Sequence, residues 1–177
     1  VEKEFGFVSA FISPCAQRYI REWNIIGPFD APDMSWLHKS YPPEKELSLS
    51  EEYPGKDSKK LKWETASADK SGFIPLQRMI SPNERAVAYA LAYVYSPDDR
   101  EATLLIGSDD GIKIWLNNEP VHMNPAYRGA YPDQDKIKAN LNKGKNTLLL
   151  KVLQGGGGWG FYARFVDPDK ELTWKTE

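Results

Sequence analysis

ATLLIGSDDGIKIWLNNEPV, residues 102–121, is the stretch from which the rest of the chain is read. Ile112, Ile114 and Leu116 fall on one face of an alternating strand, and Lys113, Trp115 and Asn117 on the other. Upstream, Ala102–Ile106 is a short apolar run of strand composition. Ser108-Asp109-Asp110-Gly111 stands between the two, and its Asp-Gly pair tolerates the positive φ of a tight hairpin turn. Asn117-Asn118-Glu119-Pro120 supplies a second turn. Two turns so close together predict a meander of antiparallel strands.

Working outward, Val87–Tyr95 (VAYALAYVY) is the longest strand candidate. Val87, Tyr89, Leu91, Tyr93 and Tyr95 lie on one face, and Ala88, Ala90, Ala92 and Val94 on the other. Both faces are apolar, so both are expected to be covered. Trp23–Phe29 is a strand stopped by Gly27-Pro28. Lys136–Leu141 alternates, Asn142–Asn146 turns into Thr147–Leu153, and Gly155–Gly158 separates that strand from Trp159–Val166. Frequent turn signals without a helical period indicate an all-β, antiparallel β-sandwich. The composition marks no linker, so residues 1–177 are read as a single domain. It has an N-terminal extension over 1–22 and a long irregular loop region over 30–60, rich in Pro, Lys, Glu and Ser.

The composition narrows the function. A chain of 177 residues with 41% hydrophobic residues can bury its own core. The net charge of −2 argues against nucleic acid as a partner, because phosphate binding needs a clustered basic surface. No apolar run approaches the ~20 residues of a membrane span. Cys15, the one cysteine, excludes an intrachain disulfide and reads as a small apolar filler. His38 and His122 are too few and too far apart in sequence to suggest zinc. Aromatic residues make up 12% of the chain, with 6 Trp and 9 Tyr, a supply that suits either a core or a sugar platform.

Four pieces occur in a fixed order: WNIIGPFD at 23–30, LLIGSDDGIKIWLNNEPVH at 104–122, LNKGKNTLLLKV at 141–152 and GGWGFYARFVD at 157–167. Together they resemble the jelly-roll accessory domain of large bacterial polysaccharide-degrading enzymes. They are also similar to the galactose-binding-like domain of β-galactosidase-type glycosidases, and the GSDDG segment resembles that of protective-antigen-type lectin domains. The resemblance implies a jelly-roll fold and an accessory domain of an extracellular or periplasmic enzyme. Such a domain either binds an oligo- or polysaccharide or packs against a catalytic module without a ligand. A fold alone does not choose between them.

The candidate chemistry lies in three places. Asp109 and Asp110 are adjacent carboxylates: they either shape the turn or donate oxygens to a calcium ion. Neighbouring residues in a tight turn do not flank a glycosidic bond, and no nucleophile–base–orienter set is legible, so the chain is read as non-catalytic. Trp159 follows four glycines, and is either an exposed ring that stacks on a pyranose or a core residue. The loop 122–135 holds His122, Asn124, Tyr127, Arg128, Tyr131, Asp133 and Asp135. Arg128 either reads the carboxylate of an acidic sugar or pairs with Asp133 or Asp135 to shape the loop. The expected sugar site is therefore Trp159 and Tyr127 for stacking, with Arg128, Asn124 and Asp109 on the hydroxyls, and Asp109 and Asp110 as the calcium carboxylates.

Overall fold

In the computed structural model, residues 18–177 are described; Cys15 lies outside them. Twelve strands follow in order: β1 Glu22–Asp30, β2 Tyr53–Pro54, β3 Lys60–Leu61, β4 Glu64–Ser67, β5 Ala86–Ser96, β6 Arg100–Asp109, β7 Ile112–Leu116, β8 Glu119–Asn124, β9 Asp135–Leu141, β10 Gly144–Gln154, β11 Gly160–Val166 and β12 Thr173–Lys175. Seven of them form one sheet, ordered β4-β1-β5-β10-β7-β8 with β12 also on β5. A three-stranded sheet, β11-β6-β9, packs against it, and β2 and β3 make a separate ribbon. Every pairing is antiparallel, and the chain is an all-β sandwich.

The core between the sheets collects the faces that alternation predicts. Ala88, Ala90 and Val94 of β5, Ile112, Ile114 and Leu116 of β7, and Ile137, Ala139 and Leu141 of β9 are all buried there. In β9 the intervening Lys136, Lys138 and Asn140 face water, the pattern of a sheet with one face covered. The alanine face of β5 lets β1 approach closely, for a Cβ on Gly27 would lie 3.0 Å from Ala88 Cβ. Asn117 and Asn118 both have positive φ, at 52° and 67°, the backbone of a two-residue turn matched to strand twist. The expected second turn is therefore the β7–β8 hairpin.

The first expected turn is not a hairpin. β6 pairs with β11 and β9 in the small sheet, whereas β7 pairs with β10 and β8 in the large one. Ser108–Gly111 is thus a corner at which the chain changes sheets. Main-chain bonds from Asp110 N–H to Leu153 O (3.0 Å) and from Leu153 N–H to Gly111 O (2.8 Å) carry the chain onto β10. Gly111 is not among the residues of positive φ. It is small because the 34–37 turn packs on it: a Cβ there would lie 2.4 Å from Met34 Sδ and 2.9 Å from Leu37 Cδ1.

The region 30–60 is also not a loose loop. With β3 it forms a layer over the outer face of the large sheet, as a second hydrophobic cluster. Leu37, Tyr41 and Leu61 are buried there against Val87, Tyr89, Leu91, Leu149 and Leu153. A 3-10 turn, Met34–Leu37, supplies Leu37, Tyr41 caps a short helix, Pro42–Lys45, and β3 supplies Leu61. Both apolar faces of β5 are therefore covered. No helix among the described residues is long and apolar enough to cross a membrane.

Candidate functional site

The 108–111 corner, the 125–134 loop between β8 and β9, and the glycine loop 155–158 meet at one point. Asp110 joins all three. Its carboxylate is buried: Oδ1 accepts the Arg128 backbone N–H at 2.9 Å, and Oδ2 accepts the Gly155 N–H at 2.8 Å. Its carbonyl accepts the Ser108 hydroxyl at 2.8 Å. An aspartate suits this position because its short carboxylate can take two main-chain donors from different loops.

Asp109 precedes it across a cis peptide and is half-exposed. Among the described residues, nothing donates a hydrogen bond to its carboxylate. Burial, and then the charge of Asp110, push its carboxyl up to about 6. The glycine loop lies directly against it: a Cβ on Gly158 would stand 2.5 Å from Asp109 Oδ2. At Gly155 a Cβ would stand 2.7 Å from Tyr127 Cε1, so the Tyr127 ring rests over that glycine. Tyr127 is nevertheless 66% exposed, as are the main chains of Gly156, Gly157 and Gly158 in large part. One corner thus presents an unbonded carboxylate, a flat ring and open peptide groups.

Two expected ligand residues belong elsewhere. Trp159 is fully buried in the inter-sheet core, with Nε1 donating to Val152 O at 3.3 Å. The four glycines bulge outward, and the chain turns back in at Trp159 to start β11. The segment 73–79 closes over it, bonding through Gln77 N–H to Trp159 O at 3.1 Å. Trp159 therefore cannot stack on a sugar. Arg128 is likewise occupied: Nε and Nη2 donate to Ser108 O (3.2 Å) and Oγ (2.8 Å), and Nη1 and Nη2 hold Asp135. Nearly all five donors of the guanidinium are engaged, which removes the bidentate fork an acidic sugar needs.

Asn124 donates to Asp135 Oδ1 at 2.9 Å, so its amide helps to frame the loop. Asp133 pairs instead with Arg164 of β11, at 2.6 and 2.9 Å. Tyr131, 70% exposed, places its carbonyl against Gly107. Gln154 is a further residue of the corner that the pattern of β10 did not reveal. It is fully buried, its Nε2 donates to Gly157 O at 3.2 Å, and its Oε1 has no donor among the described residues. The one available signal was a polar residue ending a long apolar strand just before the glycines. No group of three or more His, Cys, Asp or Glu side chains able to hold a metal ion occurs among the described residues.

No protein-family model and no curated protein matches the sequence. Among solved structures, the chain is similar to a family 35 carbohydrate-binding module from an environmental isolate. The TM-score is 0.41, with 14% identity over 53% of this chain and 75% of that one. It is similar to the PA14 domain of the antifreeze protein MpAFP, at TM-score 0.44 and 16% identity, over 88% of this chain and 68% of that one. A β-glucosidase from Kluyveromyces marxianus gives TM-score 0.48 and 16% identity, over 84% of this chain but 17% of the enzyme.

Proposed function

We propose that this chain is a non-catalytic carbohydrate-binding module, with its site at the corner formed by Asp109, Tyr127 and the 155–158 loop. The observation that carries the proposal is one open glycine loop with the exposed Tyr127 ring over Gly155 at one end and the unbonded Asp109 carboxylate against Gly158 at the other. A pyranose offers an apolar face to such a ring, and its hydroxyls suit a carboxylate and free peptide groups. Arg128 is held by Asp135 and Ser108 and is not open to a sugar carboxylate, so neutral sugars fit better than uronic acids. The sequence resemblance to accessory domains of polysaccharide-degrading enzymes supports an attached catalytic module and an extracellular or periplasmic setting.

Calcium is the ion proposed for the two adjacent carboxylates of the corner. Asp109 and Asp110 would hold it, and Gln154 next to the glycine loop has a buried amide oxygen without a donor. These are the hard oxygens that calcium takes. A bound ion would offset the repulsion between the two adjacent carboxylates.

Calorimetry with a panel of neutral and uronic oligosaccharides tests the proposal on the wild type, Tyr127→Ala and Asp109→Asn. Loss of an aromatic anchor commonly costs about 2 kcal/mol or more, so Tyr127→Ala should bind at least ~30-fold more weakly, and Asp109→Asn should bind more weakly than the wild type. Tyr127→Ala should melt within a few degrees of the wild type, because the ring lies outside the core. Unchanged affinity in both variants would overturn the site. If no glycan bound the wild type, the chain would instead be a domain that packs on a partner.

A further inference from the structure

We infer that Asp135 is a positioning residue of this site, acting through Arg128 on both the Tyr127 loop and the Asp109–Asp110 corner. The 125–134 loop has no regular secondary structure, yet it carries the two most exposed tyrosines, Tyr127 and Tyr131. Ordering each residue of such a loop opposes folding, and exposed rings return little of that. The order must therefore come from anchors, and they converge on one carboxylate.

Asp135 opens β9 and is buried. Arg128 donates to both of its oxygens and Asn124 to Oδ1, while His122 Nε2 lies 3.6 Å from Oδ2. Burial works to raise its carboxyl, but the bonds from Arg128 and Asn124 outweigh it and hold the group below its ordinary value. From Asp135 the guanidinium reaches across to Ser108, the residue before Asp109. The main chain of the same arginine bonds Asp110. One fork thus ties the loop, the corner and β9 together, and Tyr127 is adjacent to it in the chain. Without Asp135 the guanidinium would be left largely buried and without its counter-charge, so the fork would not hold its place.

The ligand arm of this inference rests on the sugar-site proposal, and the exchange arm does not. Amide hydrogen exchange is followed in the wild type, Asp135→Asn, Arg128→Gln and the double variant. Each single variant should speed exchange at the Arg128 amide, which bonds Asp110, at least tenfold. Exchange at Leu148–Val152 in the middle of β10 should be unchanged. The double variant should lose no more than either single one, because both remove the same fork. Arg128→Lys, which keeps the charge and loses the fork, should behave like Arg128→Gln and serves if Asp135→Asn fails to fold. For a glycan that binds the wild type, both single variants should weaken binding by similar factors. Unchanged exchange at Arg128, additive effects in the double variant, or a wild-type profile in Arg128→Lys would each overturn the role. If no glycan binds at all, the exchange data still decide it.

Discussion

Lys151 Nζ and Glu44 Oε1 are 107 positions apart in the chain and 3.0 Å apart in the layer outside the large sheet. Lys151 is fully buried between Tyr41 and Tyr89, and its ammonium also donates to Leu37 O at 3.1 Å and Lys39 O at 2.5 Å. Glu44 accepts from the Tyr89 hydroxyl as well. This network fastens the 30–60 layer to the sheet.

The network predicts how stability depends on pH. Burial, opposed by Glu44, lowers the Lys151 ammonium from 10.5 to about 8. Between these values the unfolded chain keeps a proton that the folded chain has released. This group therefore makes stability rise with pH over that window, at up to ~1.4 kcal/mol per pH unit. Tyr41 and Tyr89, whose hydroxyls burial raises, act with the opposite sign above about pH 10, where the unfolded chain loses their protons first. Urea unfolding from pH 7 to 11 should show a rise from about pH 8 and a later fall. Lys151→Met should remove the rise and cost about 3 to 5 kcal/mol at pH 7, because it leaves Glu44 without its partner. A flat wild-type profile would contradict the buried ammonium.

Gly111 predicts a steric effect rather than a conformational one. Gly111→Ala places a methyl where Met34 Sδ and Leu37 Cδ1 already sit. Overpacking of this kind costs roughly 1 to 3 kcal/mol. Thermal melts should show the loss, and the same substitution in a Met34→Ala background should cost measurably less. Equal costs in the two backgrounds would mean that Met34 is not the obstacle.

Trp159→Ala should behave as a core deletion. Removal of the buried indole is expected to cost about 3 to 5 kcal/mol. Any glycan binding that survives in the folded fraction should keep the wild-type affinity. Melts and calorimetry on one preparation check both, and a stable variant that had lost binding would return the ring to the sugar site.

Much of the architecture was legible because alternation records which side of a strand is buried. Ile112, Ile114 and Leu116 share the buried face that the period gives them, and β9 alternates over Lys136–Leu141 as the period predicts. What alternation cannot report is which sheet a strand joins. An Asp-Gly pair serves a hairpin and a sheet-to-sheet corner equally well, so Ser108–Gly111 misled. Lys151 sits where β10 has an outward position, which reads as solvent unless a distant segment covers it. That cover comes from 30–60, whose Pro- and Lys-rich composition hides the widely spaced Leu37, Tyr41 and Leu61. At the corner, the pairing of Arg128 with Asp135 was within reach of sequence reasoning, as one of the two readings of that arginine. The burial of Trp159 was not, since four glycines allow the next residue to point either way.

The charge of the corner links its stability to calcium. Burial and Asp110 raise the Asp109 carboxyl from 3.8 to about 6. The folded chain thus binds the proton more tightly than the unfolded one, and this group adds stability as pH falls from about 6 towards 3.8. At pH 7 the ionised carboxylate is a liability in the absence of a cation. In chelator, Asp109→Asn should therefore stabilise the protein, by about 1 kcal/mol once screening at a half-exposed site is allowed for. Calcium that binds the native state alone should raise the wild-type melting temperature in proportion to the logarithm of its excess over Kd. It should leave Asp109→Asn unmoved, so the order of the two melting temperatures should narrow or reverse between chelator and millimolar calcium. Differential scanning calorimetry in the two buffers decides the matter. Coincident wild-type curves would remove calcium from the site while leaving the stabilisation by Asp109→Asn in place. A destabilised Asp109→Asn in chelator would show instead that the carboxylate has a partner in the native protein.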